Sequence, residues 1–182
     1  MSLRRHAVAV ASAVVLTVVA GACGGGSTPT ATPTPTPPII PPPSVASQES
    51  GLAVQMNYVY GVQFGVTGTG NIDATVDYTY ADTLLAVWIS KGSCTGEQFI
   101  ADQCPFVATS FAGGKPRKVS ATGQTTGTYS LIFANFGTKD ESVSYQVVFT
   151  PTAAAGGNVS AQAREGASAT RFLVPAPAGL RP

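Results

Sequence analysis

Histidine and charge are what this sequence has least of. Among its 182 residues there is one histidine, His6, and 10% of the residues are charged, against about 25% in an average soluble protein. His6 lies in a segment that we expect to be removed, so the remaining chain has no imidazole to serve as a general base or metal ligand. We therefore predict that the protein is not an enzyme and has no cofactor.

Net charge is also nearly absent. The formal charge is +1, and it becomes −1 once Arg4 and Arg5 are removed with the same segment. Nucleic-acid binding needs a clustered basic face, so we expect no nucleic-acid partner. Lys115, Arg117 and Lys118 form a small basic loop, which we interpret as a solvated hairpin.

The acidic residues show no catalytic pattern. Asp73 and Asp77 share a face of a predicted strand, but we expect that face to be exposed to water, so they are not interpreted as the paired carboxylates of a glycosidase. No serine lies in a Gly-x-Ser-x-Gly motif. We assign no catalytic residue and no metal ligand. Calcium stays an alternative, with these oxygen-bearing candidates: Asp73, Asp77, Asp82, Asp102, Asp140 and Glu141.

Two of the three cysteines, Cys94 and Cys104, lie together in the middle of the chain. In an exported protein a pair at this spacing closes a disulfide, and we predict that bond. The alternative is two free thiols in a reducing compartment. We expect the loop that the bond closes, Thr95 to Asp102, to contribute little packing of its own.

The first 22 residues are arranged as an export signal. Arg4, Arg5 and His6 precede an apolar run that is too short for a stop-transfer helix. The small residues of 20–22 then lead into Cys23, which is followed by three glycines and a serine. This pattern resembles the lipobox of bacterial lipoproteins, with alanine where leucine is commonest. An uncleaved anchor is the alternative.

The lipobox resemblance implies that Cys23 is the first mature residue and carries a diacylglycerol, usually with a further acyl chain on its amine. Two or more chains give stable membrane anchoring. The membrane is therefore an expected partner, through the lipid on Cys23. We expect a place in the cell envelope, either in the outer membrane or on the outer face of the plasma membrane. Gly24 is not Asp, which favours the outer membrane where one exists.

Residues 23–47 are expected to form a lipidated N-terminus and a Pro/Thr-rich linker. From Thr28 to Pro43 the sequence alternates threonine with proline and then runs into prolines. Proline fixes φ and removes backbone donors, so this segment is predicted to be a polyproline II spacer. At ~3.1 Å per residue it reaches ~50 Å.

Residues 48–150 carry short apolar alternations between turn residues, without a helical stripe. The period of two predicts half-buried strands, and the apolar run Leu84–Ile89, with Trp88, predicts a central strand buried on both faces. We expect one strand through Leu52–Tyr60 and a new one after Gly61. The predicted fold is an all-β antiparallel β-sandwich of about eight strands, jelly-roll-like, with one disulfide, after the Pro/Thr-rich linker.

Residues 151–182 are rich in alanine, glycine and serine, and we interpret them as a low-complexity, largely disordered tail. Within this tail, Phe172-Leu173-Val174 is the one apolar cluster that can dock on the domain.

Part of the domain resembles a known family. Gly70 to Tyr78, the Leu84–Ile89 strand and Thr126 to Leu131, with its Gly-Thr-Tyr start, are similar to the bacterial pre-peptidase C-terminal (PPC) β-sandwich. The resemblance implies an accessory domain of a secreted protein, and some members of that family bind calcium.

Three functions are therefore open. The leading hypothesis is a membrane-anchored lipoprotein that displays a non-enzymatic β-sandwich for contact with a protein or the cell envelope. The second is a carbohydrate-binding module that contacts glycans through Tyr58, Tyr60, Tyr78 and Tyr80. The third is a calcium-stabilised accessory domain.

Overall fold

A computed structural model of the chain describes residues 40–111, 114–152 and 171–177. These residues form nine strands and one short helix, α1 (Gly96–Ile100). None of the described helices is long and apolar enough to cross a membrane. The strands are β1 (Ser44–Val54), β2 (Tyr58–Val66), β3 (Gly70–Tyr78), β4 (Leu85–Lys91), β5 (Phe106–Ser110), β6 (Arg117–Gln124), β7 (Gly127–Asn135), β8 (Glu141–Pro151) and β9 (Arg171–Pro175).

The strands form two antiparallel sheets. Sheet A has the order β1-β8-β3-β6, and sheet B has the order β5-β4-β7-β2-β9. From β1 to β8, successive strands alternate between the sheets, except that β4 and β5 are neighbours in sheet B. This is the arrangement of an eight-stranded jelly roll, with β9 added at one edge. The predicted all-β, jelly-roll-like sandwich with one disulfide is confirmed.

The main core lies between the two sheets and is built by strict alternation. On β3, Ile72, Ala74, Val76 and Tyr78 are buried against sheet B, while the residues between them point away from the core. Each fully buried aliphatic side chain of this kind stabilises the fold by about 1.5–3 kcal/mol. Period two therefore sets both the strand and the face that it buries.

Sheet B differs because β4, an interior strand between β5 and β7, is buried on both faces. All six residues from Leu85 to Ser90 are buried, as predicted for the Leu84–Ile89 run except at Leu84, which precedes β4 and is 39% exposed. Leu85, Val87 and Ile89 belong to the core between the sheets. Ala86 and Trp88 belong to a second apolar cluster on the outer side of sheet B.

The prediction was wrong about where the first two strands begin and end. Residues 52–60 are not one strand, because a turn at Met56–Asn57 separates β1 from β2. Asn57 adopts φ of 60°, and the Tyr58 amide donates to the Gln55 carbonyl at 3.2 Å. Asparagine tolerates this left-handed conformation better than most residues. The expected break at Gly61 does not occur, since β2 continues through it.

The folded part extends beyond residues 48–150 on both sides. β1 begins at Ser44, four residues earlier, and β9 comes from the segment assigned to the tail. β9 is the cluster Phe172-Leu173-Val174 with its neighbours, and it pairs with β2 from Tyr58 to Val62. Three consecutive apolar residues show no period-two alternation and are too few to distinguish such a strand from a loop.

Candidate functional site

The outer face of sheet B is apolar and covered. Trp88 and Ile132 point outward from β4 and β7, and the second apolar cluster closes over them. The Phe99 ring of α1 meets the Trp88 ring edge-on at 5.2 Å between centroids, and Phe99 is 1% exposed. Phe106 and Phe111 also contact the Trp88 ring. This face is a second packing surface.

The disulfide loop supplies that cover. Cys94 and Cys104 are bonded, with 5.6 Å between their Cα atoms. Thr95 caps α1 through a capping box: its hydroxyl accepts from the Gln98 amide, and the Gln98 side chain accepts from the Thr95 amide. The expectation that Thr95 to Asp102 contribute little packing was wrong, because this five-residue helix turns Phe99 onto Trp88.

β9 completes the cover at the sheet edge. Phe172 lies over Gly61, where an added Cβ would overlap the phenylalanine ring, and Val174 lies against Gly96 of α1. Aromatic cover of a strand glycine is a known way to fix strand pairing. The Arg171 guanidinium donates one hydrogen bond to the Glu49 carboxylate of β1 at 3.0 Å, and a second guanidinium nitrogen forms an ion pair with the other carboxylate oxygen at 2.9 Å.

The outer face of sheet A is polar and open. No described residue covers it, and side chains of β1, β8 and β3 line a shallow open groove of about 770 Å³ along it. Most of these side chains are hydroxyls, amides and carboxylates. The groove is lined by Gln48, Glu49, Ser50, Thr75, Asp77, Ser144, Tyr145 and Gln146.

Neighbouring strands of this face are joined by exposed polar contacts. The Ser120 hydroxyl donates to Asp73 at 2.5 Å, and the Gln146 amide donates to Gln48 at 3.3 Å. Lys115 lies 3.5 Å from Asp77. Asp73 and Asp77 are exposed on it, as the sequence predicted. Exposed ion pairs of this kind contribute about 0–1 kcal/mol, so the face has many hydrogen-bonding groups without depending on them for stability.

The four tyrosines do not lie on one surface. Tyr60 and Tyr78, 7% and 3% exposed, are part of the core between the sheets. Tyr58 is half-buried. Tyr80 is 39% exposed, and the Lys139 ammonium lies 4.6 Å from its ring centroid. A sugar would stack on an open ring face, and among the four candidates only Tyr58 and Tyr80 retain surface exposure.

Two buried phenols lie near the ion pair. Burial raises the pKa of Tyr60 to about 12, and the Glu49 charge adds to this rise while Arg171 opposes it. Burial also raises the pKa of Tyr145, whose hydroxyl is 3.1 Å from that of Ser47. Among the described residues, no group hydrogen-bonds to the Tyr60 hydroxyl.

Two of the acidic candidates for calcium accept hydrogen bonds from backbone amides of turns and strand ends. In the part of the chain that the structure describes, no three acidic, histidine or cysteine side chains converge on one point. Asp140 accepts from the Met56 amide at 2.9 Å. Glu141 is 2% exposed, and its carboxylate accepts from the Thr79 and Tyr80 amides and from the Thr83 hydroxyl. These carboxylates fix turns.

One residue predicted to be functional lies outside the described part of the chain, and several residues that pack or pair in the structure were not predicted from the sequence. Cys23 lies outside the described residues, so the lipidation prediction stays a prediction. Of the basic loop, Arg117 is buried, while Lys115 and Lys118 are exposed. Sequence reasoning missed Phe99, whose signal was an aromatic residue inside the disulfide loop. It also missed the Glu49–Arg171 pair, because 122 residues separate its members.

No protein-family model matches the chain, and none of the curated proteins it was compared with is similar to it in sequence.

Proposed function

We propose that the protein is an exported lipoprotein, anchored to a membrane of the cell envelope through lipid on Cys23, which displays a non-enzymatic β-sandwich for contact with a protein or an envelope component. The lipobox-like sequence around Cys23 supports the anchor. The Pro/Thr-rich segment before β1 supports display, because a polyproline II spacer holds a domain away from a surface. The disulfide supports export, because such bonds persist in oxidising compartments.

One structural observation carries the contact half of the proposal: sheet A has a bare polar outer face, whereas sheet B has a covered one. The groove on sheet A offers donors and acceptors from three adjacent strands, and two of its eight lining residues, Glu49 and Asp77, are carboxylates. A surface rich in hydroxyls and amides suits a polar partner that is bound through hydrogen bonds. The PPC resemblance, with its implied accessory role, is consistent with this function and stays a prediction.

The anchor is tested by comparing the unaltered chain with Cys23→Ser. We expect intact-mass and peptide analysis of the unaltered chain to show loss of residues 1–22 and added lipid on Cys23, and the protein to partition into the detergent phase. Cys23→Ser should lack the lipid mass. The double variant Cys94→Ser/Cys104→Ser is the matched control, since it removes two cysteines and should keep the lipid. An unaltered chain that retains residues 1–22, or has no lipid on Cys23, would contradict the proposal.

The contact face is tested by placing a large charged side chain at its centre. Thr75→Arg and Ser144→Arg are expected to reduce the amount of chain cross-linked to other envelope components by formaldehyde in intact cells. Ser93→Arg, at an exposed position beside the disulfide, is the control and should leave the cross-linked amount unchanged. Equal cross-linking for all three variants would rule out this face.

A further inference from the structure

The groove on sheet A coincides with a β-bulge in β1. The pairing of β1 with β8 shifts register between Glu49 and Leu52, and Gly51 within the bulge adopts φ of 73°. A bulge leaves residues unpaired and bends its strand. Tyr145 belongs to the core between the sheets, yet beside the bulge it lines the groove together with the outward Ser144. The groove is therefore a feature of the β1 backbone as well as of the side chains that line it.

The outward side chains of the groove form rows that cross the three strands. Gln48, Gln146 and Thr75 lie in one row, because Gln48 pairs with Gln146 and Gln146 pairs with Thr75. Ser144 and Asp77 are paired in the next row. Neighbouring strands are ~4.8 Å apart and successive rows are ~6.7 Å apart, so these polar groups project from a small area at fixed spacing.

Most of these groups can both donate and accept hydrogen bonds. A serine or threonine hydroxyl has one donor and two acceptor lone pairs, and a glutamine amide has two of each. The Gln146 amide donates to the Gln48 side chain at 3.3 Å, and both side chains are exposed. That bond uses one donor and one acceptor position of the pair. A ligand whose own groups both donate and accept can match the positions that the bond does not use.

The carboxylates of the groove are neutralised by neighbouring side chains. Arg171 lies 2.9 Å from Glu49, and Lys115 lies 3.5 Å from Asp77. A cationic ligand would have to compete with these two side chains, and an anionic ligand would meet the two carboxylates. The charge pattern therefore favours an uncharged ligand.

We propose that the groove on sheet A binds a neutral glycan through the hydroxyl groups of the sugar. Sugar hydroxyls both donate and accept, as the lining hydroxyls and amides do. The volume of about 770 Å³ lies within the range of about 300–1,000 Å³ that is typical of small-molecule sites. The inference rests on the proposed function, because it names the ligand class of the same face. It uses none of the four tyrosines of the sequence-based glycan hypothesis.

Ligand-detected NMR tests the glycan class with the full chain in a detergent that has no sugar headgroup. The neutral probes are maltotriose, cellotriose and tri-N-acetylchitotriose, and the charged probe is trigalacturonate. Each hydrogen bond replaces bonds to water and gains little, so we expect a Kd on the order of 1 mM. Saturation transfer to at least one neutral probe, and none to trigalacturonate, is the expected result. No transfer to any neutral probe, or stronger transfer to trigalacturonate, would overturn the proposal.

Substitutions test whether the glycan binds in the groove. The double variant Gln48→Ala/Gln146→Ala removes the amide pair, and Thr75→Arg fills the centre of the groove. Each should weaken the observed binding at least roughly tenfold. Gln124→Ala is the matched control, since Gln124 lies on β6 of the same sheet and outside the groove lining, and its Kd should equal that of the unaltered chain.

The double alanine variant keeps the proposal testable if Thr75→Arg folds poorly. Unchanged binding in the groove variants would overturn the proposal. If no glycan binds but Thr75→Arg still reduces cross-linking in intact cells, the ligand is a different polar molecule and this inference alone is wrong. If neither glycan binding nor cross-linking changes with Thr75→Arg, the contact face is wrong as well.

Discussion

The two outer faces of this sandwich differ in polarity, and only one of them is covered by other parts of the chain. On sheet B the outward residues Val59, Trp88 and Ile132 are apolar, and the disulfide loop and β9 bury them. On sheet A the outward residues are mostly polar, with Val45 and Val148 as exceptions, and no described residue covers the groove. Apolar surface gains free energy when it leaves water, so only sheet B needs a second layer. We propose that sheet A carries the surface that contacts a partner.

Under the proposed function, this difference assigns stability to one face of the domain and contact with a partner to the other. Residues on the covered face are expected to determine how well the chain folds, and residues on the open face to determine what it contacts. Substitutions that remove side chains from each face can test that separation.

Phe99→Ala should have the largest effect, because it empties the centre of the covered face. Removing a buried phenylalanine costs about 3–5 kcal/mol, and Phe99 packs edge-on against Trp88. We expect the free energy of unfolding in urea to fall by that amount. Ile100→Ala is the adjacent control, since Ile100 is 48% exposed and its loss should cost less than about 1 kcal/mol. Equal effects from both variants would contradict a packed second layer.

Opening the Cys94–Cys104 bond should have the next largest effect. The bond closes a loop with a sequence separation of 10, for which chain entropy predicts about 3 kcal/mol. The double variant Cys94→Ser/Cys104→Ser should lower the urea midpoint accordingly. A double variant with an unchanged midpoint would show that the loop holds its place without the bond.

Two tyrosines between the sheets provide a smaller comparison. Tyr145→Phe removes a hydroxyl that is bonded to Ser47 and should cost about 1 kcal/mol. Tyr60→Phe removes a hydroxyl with no partner among the described residues, so its effect at neutral pH should be near zero or stabilising. A larger loss from Tyr60→Phe than from Tyr145→Phe would contradict this geometry.

The same tyrosine pair predicts a pH dependence. Folding raises the pKa of Tyr60 to about 12, from about 10 in an unfolded chain. As pH rises through this interval the unfolded chain loses its proton while the folded chain keeps it, so stability falls. Tyr60→Phe should reduce that alkaline loss, and Tyr145, whose pKa is also raised, should account for part of the remainder. An unchanged alkaline profile in Tyr60→Phe would count against the burial of this phenol.

The smallest effects are expected on the open face. Thr75→Ala, Ser144→Ala and Gln146→Ala remove groove side chains that belong to neither apolar cluster. Each should change the free energy of unfolding by less than about 0.5 kcal/mol. A loss above about 1 kcal/mol from any of them would give this face a structural role and weaken the comparison.

The sequence predicted the sandwich because alternation on strands such as β3 and the continuous run of β4 are local signals. Whether a strand face is covered depends on residues that are distant in the sequence, so no local pattern indicates it. Trp88 is buried on the outer side of sheet B because α1, folded by the Thr95 capping box, brings Phe99 onto it. The four tyrosines likewise follow the period of two, but Tyr58 and Tyr60 lie on β2 of sheet B, whereas Tyr78 ends β3 of sheet A and Tyr80 follows it. The period alone does not distinguish the inward from the outward face of a strand.

Contacts between residues that are far apart in the chain could not be predicted from the sequence either. The docking of β9 depends on a missing side chain at Gly61 and on an ion pair between Glu49 and Arg171. A glycine in a strand predicts a break when it is considered alone. It predicts continuity only when the covering ring of Phe172 is known. The groove on sheet A, which is the proposed contact face, is recognised only when β1, β8 and β3 are placed side by side.

Site-specific photo-cross-linking in intact cells tests the central claim most directly. The same photoreactive amino acid is placed at Thr75 or Gln146 on the open face, and at Ile100 on the cover of sheet B. We expect discrete adducts with an envelope component from the first two positions and none from Ile100. Adducts from Ile100 alone, or none from any of the three positions, would contradict the claim that the open face of sheet A is the surface that the protein displays.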